Sequence, residues 1–216
     1  MGARQLKIDR TMIVEFTVIV VGVFVALAAE TWWSEREERR VEREIRADMI
    51  VEFESNILIL NADIAENEEA YSRIGMLDSL DDGALLALDD KRISEQLVPY
   101  LQWAGFDPEM GSVQAFVESG NVGAFSDRQL RLLLARWSGL LVKNRRVNLQ
   151  AVDFQHGTVL PVIARASADQ VWSSDERREL RALLSHLLAL HGYVLNNQRE
   201  LRAAATDILS FLRDEH

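Results

Sequence analysis

The histidines are the side chains of this chain best suited to chemistry, because imidazole titrates near neutral pH and binds metal ions. The sequence has four, at positions 156, 186, 191 and 216. His186 and His191 lie five residues apart, about 140° around a helix, so they cannot chelate one metal ion as an i, i+4 pair would. His191 falls on an apolar helical stripe. We therefore predict a hydrogen-bonded core residue there and not a ligand.

Acidic pairs and one turn sequence are the other candidates for chemistry. Asp81-Asp82 and Asp89-Asp90 could suggest a cation site, but no EF-hand spacing follows either pair and turn formation explains both. Ser119-Gly120-Asn121 is typical of a helix cap. It is not a phosphate-binding loop, since no glycine-rich run leads into a Lys-Ser/Thr pair. The chain has no cysteine, which excludes disulfides and thiolate sites. We expect no enzyme activity, no cofactor and no metal site.

The stretch from Met12 to Trp33 is almost unbroken apolar sequence, with its core from Phe16 to Ala29. As a helix it extends about 33 Å, enough to cross a hydrocarbon layer of roughly 30 Å. Trp32 and Trp33 end the stretch, and Trp rings prefer the boundary between acyl chains and water. We predict a transmembrane helix at 12–33, preceded by a basic tail at 1–11 and followed by a helical domain at 34–216.

A cleaved secretory signal is the competing interpretation of the same residues. A short basic tail precedes the apolar run, and Ala26-Leu27-Ala28 fits a small-x-small cleavage pattern. Against it, Glu15 interrupts the apolar region, and the Trp pair suits a membrane boundary better than a mature N-terminus. We therefore expect the helix to be retained.

One face of the predicted membrane helix carries small residues. Gly22 and Ala26 form a small-xxx-small pair that lets another helix approach closely. At 100° per residue the predicted interface stripe comprises Glu15, Gly22, Ala26, Ala29 and Trp33. The predicted membrane boundary comprises Glu30, Trp32 and Trp33. The alternative is that glycine and alanine are simply common in membrane helices and that both glutamates reach the headgroups.

The rest of the chain has a helical composition, with only three prolines and long Leu/Ala/Arg/Glu stretches. The first helix is predicted to continue to about Asp78, before Asp81-Asp82-Gly83. Ser126 with Gln129, and Ser173 with Glu176, are capping boxes that would open two further long helices. Apolar residues from Leu180 to Leu212 follow a heptad pattern in which Gln198 is predicted to be buried and to fix the register. We predict an all-α fold, in which a transmembrane helix continues into an up-and-down bundle of three long and several short helices.

Two segments resemble a family of uncharacterised bacterial single-pass membrane proteins. The first, EFTVIVVGVFVALAAETWWSEREERR, matches its N-terminal pattern at Glu15, Gly22, Ala26, Leu27 and Trp32. The second, FDPEMGSVQAFVESGNVGAFSDRQLRLLLARW, is similar to its internal segment and matches at Ser119, Gly120, Asn121 and Leu130. The chain departs from the pattern at Glu30 and Thr31, where family members tend to carry Asn. The resemblance implies the single-pass topology and the bundle, and it brings no activity with it.

The charges bear on orientation and partners. Net charge is −10, so the protein should not bind nucleic acid. Basic residues flank both ends of the apolar stretch, but those after it alternate with glutamates and are locally paired. We expect a bacterial inner-membrane protein with a cytoplasmic N-terminus and its bulk in the periplasm.

Two functions are compatible with these features. The first is a non-catalytic interaction protein, either an accessory subunit of a larger inner-membrane complex or a homo-oligomeric scaffold, whose partners are the lipid bilayer and other membrane subunits or itself. The alternative is a periplasmic sensor-like bundle that binds a ligand and acts through a partner. Its pocket would be lined by Trp103, Phe106, Phe116, Phe125 and Trp137. Packing of the short helices onto the bundle would explain the same aromatics.

Overall fold

The computed structural model of the chain describes residues 10–97, 104–118, 127–169 and 172–214. Within those ranges every regular element is helical, and the predicted all-α fold is confirmed. The helices are α1 (Arg10–Asp78), α2 (Asp82–Leu86), α3 (Asp90–Leu97), α4 (Gly111–Glu118), α5 (Arg128–Phe154), α6 (Leu160–Asp169) and α7 (Ser174–Asp214), with a π-helical turn at Gln155–Val159. As predicted, three of them are long and the first ends at Asp78.

The chain divides by packing into two units, one ending at Ala47 and the other beginning at Asp48. The boundary drawn from the sequence, between residues 33 and 34, marks the end of the apolar stretch instead. In the first unit, α1 changes from apolar to charged after Trp33. Arg40 there pairs with Glu37 at 2.6 Å and with Glu44 at 2.5 Å. Pairs three and four residues apart stabilise a helix through contacts within the helix itself.

The second unit is an antiparallel bundle. Along α1 and α7, Glu68 pairs with Arg199 at 2.6 Å, and Glu54 pairs with Arg213 fourteen positions further along α7. Residue numbers thus rise in one helix as they fall in the other, so α7 runs antiparallel to α1.

The second unit's α5 is also antiparallel to α7. Arg136 pairs with Asp207 at 3.3 Å, and Lys143 pairs with Glu200 at 2.6 Å. It follows that α1 and α5 run parallel to each other, and that residues 199–213 of α7 face both.

The core of this bundle lies along one stripe of each long helix. The periodic apolar residues of α7 are buried almost without exception, which follows from their heptad spacing. Fully buried side chains from the three long helices include Met49, Phe53, Leu60, Ile74, Leu130, Trp137, Leu180, Leu184, Leu201 and Ile208.

Local signals set most helix ends. The predicted capping box of α7 is confirmed, since the Ser173 backbone N–H donates to Glu176 Oε2 at 2.8 Å and the Glu176 N–H donates to Ser173 Oγ at 3.2 Å. The start of α5 was predicted wrongly. Its N-cap is Asp127, whose carboxylate accepts from the backbone N–H groups of the next turn, and Ser126 lies outside the described residues.

Proline explains the π-helical turn between α5 and α6. Pro161 has no N–H to donate, and its ring would crowd a carbonyl of the preceding turn. The helix widens there, and the Leu160 N–H donates to Gln155 O, five residues back. Pro161 therefore leaves one wide turn within an otherwise continuous helical path.

Candidate functional site

The apolar surface of α1 between Glu15 and Trp33 is the most unusual surface of the described chain. Ten of its large side chains, between Phe16 and Trp33, are 53–69% exposed. An 18-residue window has a mean hydropathy of 1.8, and none of it is buried within the protein. One described helix is therefore long and apolar enough to cross a membrane. A helix that is apolar on every side normally lies in a protein core or in a bilayer.

The predicted interface stripe lies on this exposed surface. Glu15, Gly22, Ala26, Ala29 and Trp33 are all exposed. A Cβ added at Gly22 would meet nothing within 4 Å, so the space beside it is open to another helix. No contact in the first unit distinguishes this stripe from the rest of the apolar surface among the described residues, and the interface stays a prediction.

The predicted membrane boundary has two local contacts. The guanidinium of Arg36 lies 5.6 Å from the ring of Trp32, within cation–π range. Thr31 Oγ1 donates to Leu27 O at 2.9 Å and so satisfies its hydroxyl within the helix. Glu30 and Trp33 are exposed on either side. The segment thus exchanges an apolar surface for a charged one within about one helical turn.

The second unit contains a buried polar network around the irregular segment 104–110. Asn67 of α1 pairs with the backbone of Ala104 through both amide atoms, at 2.9 and 3.1 Å. Asn56 pairs in the same way with the backbone of Glu109, at 2.8 Å for both bonds. Each side chain thereby replaces the backbone partner that the segment would have had in regular structure.

Three further side chains extend this network. Glu52 Oε2 accepts from the Ser112 backbone N–H at 2.6 Å and caps the start of α4. Gln198 Nε2 donates to Ala104 O at 2.8 Å, and its Oε1 accepts from Asn67 at 2.9 Å. Asn144 Nδ2 donates to Phe106 O at 3.1 Å. The predicted burial of Gln198 is confirmed, and the residues that it bonds are Asn67 and a loop carbonyl.

The described members of the predicted aromatic set lie in the core. Trp137 is fully buried, with its ring centroid 5.4 Å from Phe53 and 6.2 Å from Phe106, both edge to face. Such pairs stabilise beyond their buried area by about 0.5–1.5 kcal/mol. Trp103, Phe125 and the side chain of Phe116 lie outside the described residues.

His191 is buried in α7, where the sequence placed it on the apolar stripe. Burial lowers the pKa of its imidazole to about 4, because the charged form would lose its hydration. The ring is therefore neutral at physiological pH. Among the residues described, no group of three or more His, Asp or Glu side chains could hold a metal ion.

Two cavities open on the surface of the second unit. One of about 520 Å³ lies between the 106–108 segment and α5 and is lined in part by Phe106, Arg145 and Leu149. One of about 320 Å³ lies beside α2 and is lined by Leu85, Arg177 and Arg181 among others. All three arginines that line the smaller cavity already have partners, and Arg178 pairs with Asp175 at 3.1 Å. Arg177 binds Asp90 and two carbonyls of the α2–α3 connection, and Arg181 binds Asp78 O at 2.7 Å.

The polar network was missed by the sequence analysis. Asn56 and Asn67 sit at core-facing positions of α1, between buried apolar residues such as Phe53 and Leu60. Polar residues on an otherwise apolar helical face are the signal that could have found them. Their partners are backbone groups of a loop, which no periodicity predicts.

No family model, curated protein or solved structure matches the chain. The resemblance carried by residues such as Gly22 and Trp32 therefore stays a prediction.

Proposed function

We propose that this chain is a non-catalytic interaction protein, a helical bundle anchored in the bacterial inner membrane that assembles with itself or with other subunits of a larger complex. The observation that carries the proposal is the apolar surface from Phe16 to Trp33. Burying that surface in lipid at about 25 cal/mol per Å² would contribute far more than any contact it makes within the chain. Its partner is therefore the bilayer.

The non-catalytic part of the proposal is supported by how the polar side chains are used. In the described part of the chain, Asn56, Asn67 and Gln198 hold a loop in place through hydrogen bonds to its backbone. Arg177 likewise holds the connection between α2 and α3. Side chains that already hydrogen-bond the protein's own backbone are not available to bind and activate a substrate.

Orientation is part of the proposal. On the C-terminal side of the apolar stretch, Arg39 pairs with Glu35 at 3.2 Å and Arg40 pairs with Glu37 and Glu44. Basic residues whose charge is paired contribute less to the difference in positive charge across the membrane, which sets the topology. We infer that the N-terminus is cytoplasmic and the second unit periplasmic. A periplasm-specific reporter fused after Asp214 should be active, and activity of a cytoplasmic reporter at the same place would reverse the assignment.

Native mass spectrometry of the full chain, released from membranes in a gentle detergent, tests assembly. We expect masses of two or more chains, or of this chain with other membrane subunits. Gly22→Ile should shift the distribution toward single chains, because the added side chain blocks close helix approach. Phe24→Ile, on the opposite side of the same helix, is the matched control and should leave the masses unchanged.

Two results would count against the proposal in different ways. A single sharp species of monomer mass for the unchanged chain would contradict assembly altogether. An unaltered assembly in Gly22→Ile would remove the small-residue stripe from the interface while leaving assembly itself in place.

A further inference from the structure

Two helices of the second unit carry opposite net charge. Between residues 48 and 78, α1 has eight acidic residues against the single Arg73. Within Arg128–Phe154, α5 has six basic residues against the single Asp153. The basic helix stands out in a chain whose net charge is −10. Surfaces of opposite sign attract each other and discriminate against other partners.

The acidic helix also carries an apolar stripe on its outer side. Val51, Leu58 and Met76 are 66%, 70% and 53% exposed. Steps of seven, four and three along the helix place Ala62 and Ala65 on the same face, opposite to the core positions. This outer α1 face is therefore the residues Val51, Leu58, Ala62, Ala65, Glu66, Glu69 and Met76.

The basic helix has a matching stripe. Leu132, Val142 and Leu149 are 61%, 64% and 56% exposed, again opposite to the core positions. Ala135 and Gly139 lie between them, and a Cβ added at Gly139 would meet nothing within 4 Å. This outer α5 face is the residues Leu132, Ala135, Gly139, Val142, Arg146 and Leu149, with Arg145 at its edge beside the cavity of about 520 Å³. Arg145 and Arg146 have no acidic partner among the residues that the structure describes.

The two faces lie at the same level of the bundle. Residues 199–213 of α7 pair with residues 54–68 of α1 on one side and with residues 136–143 of α5 on the other. Because α1 and α5 run parallel, a copy placed alongside in the same orientation brings Ala62 to the level of Gly139. The same placement brings Glu69 to the level of Arg145 and Arg146, with Glu66 about one helical turn before it.

We infer that the second unit binds a second copy of this chain head to tail, with the outer α5 face of one copy against the outer α1 face of the next. The inference rests on the proposed function and names self-association as its form. Two different faces of each chain are used, so every bound copy leaves one face of each kind free. Such an interface is heterologous and closes into a ring or continues as a filament.

Cysteine cross-linking of the full chain in membranes tests this directly, because the natural chain contains no cysteine. The double variant Ala62→Cys/Gly139→Cys, treated with a short bis-maleimide, should give a ladder of dimers, trimers and larger species on a denaturing gel. Either single variant alone should give no cross-link. A matched double variant, Ala62→Cys/Ala203→Cys, places the second thiol on the exposed side of α7 and should give no ladder.

Charge exchange adds a test that does not depend on cysteine reactivity at the interface. Arg145→Glu/Arg146→Glu in the double-cysteine chain should reduce the ladder roughly tenfold, because like charges then face each other. Adding Glu66→Arg/Glu69→Arg to the same chain should restore it. Circular dichroism of each variant checks that the helices are intact, and recovery in the charge-exchanged chain separates a lost interface from a lost fold.

Other outcomes would overturn the inference. Dimers from the single Ala62→Cys variant would indicate a symmetric interface, which contradicts head-to-tail binding. An oligomer by native mass spectrometry without any ladder would also contradict it while leaving the proposed function standing. A monomer by mass together with no ladder would contradict both.

Discussion

The two parts of α1 use the same helix in opposite ways. Between residues 15 and 33 its apolar side chains point in every direction and are exposed, as Phe24 is at 68%. Between residues 49 and 77 the apolar residues on the core-facing side are buried, as Phe53 is completely, whereas Val51, Leu58 and Met76 on the outer α1 face are exposed. The angular distribution of apolar residues, and not their number, decides whether a helix packs on protein or needs an apolar solvent around it.

The polar residues sharpen the same contrast. In the second unit, Asn56, Asn67 and Gln198 are buried, and each hydrogen-bonds a backbone group of the loop. In the first unit, Glu15 and Glu30 are exposed at the two ends of the apolar stretch. Polar side chains are thus buried in the second unit where they have hydrogen-bond partners. In the first unit they lie at the two ends of the apolar segment.

Replacing one phenylalanine in each part of α1 should give the largest difference. Phe53→Ala removes a fully buried ring that packs on Trp137, and it should lower the free energy of unfolding by about 3–5 kcal/mol. Phe24→Ala should change it by less than about 0.5 kcal/mol, because nothing in the protein packs there. Urea unfolding in detergent, followed by near-ultraviolet circular dichroism, measures both. Equal losses would remove the distinction between the two parts.

Acidification should destabilise the second unit through His191. Its pKa is about 4 when folded and 6.5 in the reference state, so the unfolded chain binds the proton first. The contribution of the neutral ring is complete above pH 6.5 and is lost progressively between pH 6.5 and 4, by about 3 kcal/mol in total. Unfolding free energies at pH 7, 6 and 5 would measure the slope. His191→Gln should flatten it, and an unchanged slope in that variant would assign the pH dependence to other groups.

Removing one polar partner should have an intermediate effect. Asn67→Ala leaves the Ala104 backbone groups and Gln198 without the bonds they now make, which should cost about 2 kcal/mol of unfolding free energy. Asn61→Ala, at an exposed position of the same helix, is the matched control and should cost much less. A loss of similar size in the two variants would mean that the buried amide does not hold the loop.

An exposed ion pair of the second unit should have the smallest effect. Arg136 and Asp207 pair at 3.3 Å with both side chains more than half exposed. Asp207→Asn should change the free energy of unfolding by less than about 0.5 kcal/mol, since solvent screens such pairs. Thermal unfolding at low and high salt provides the measurement. A loss above 1 kcal/mol would show that surface charge contributes to bundle stability more than burial suggests.

Much of this arrangement could be predicted from periodicity and capping. The heptad residues of α7, the Ser173–Glu176 box and the end of α1 before Asp81 follow from local sequence, and the structure confirms each. The loop network could not be predicted, because Asn56 and Asn67 bond backbone groups more than thirty residues away. The start of α5 was wrong because Asp127 and Ser126 are equally good caps in sequence alone.

The charge asymmetry between α1 and α5 shows the same limit. Composition identifies α5 as basic. Only the packing reveals that the outer α5 face lies at the same level of the bundle as the outer α1 face. Long-range placement of this kind depends on which side of each helix meets α7. That choice is made by the core stripes of all three helices together.

Alkaline carbonate extraction of membranes, combined with intact mass measurement of the extracted chain, tests the central claim most directly. If the apolar segment of α1 remains in the bilayer of the mature molecule, the chain stays in the membrane pellet with the residues before Ala29 still attached. Release into the wash, or a mass that begins at Ala29, would contradict the account.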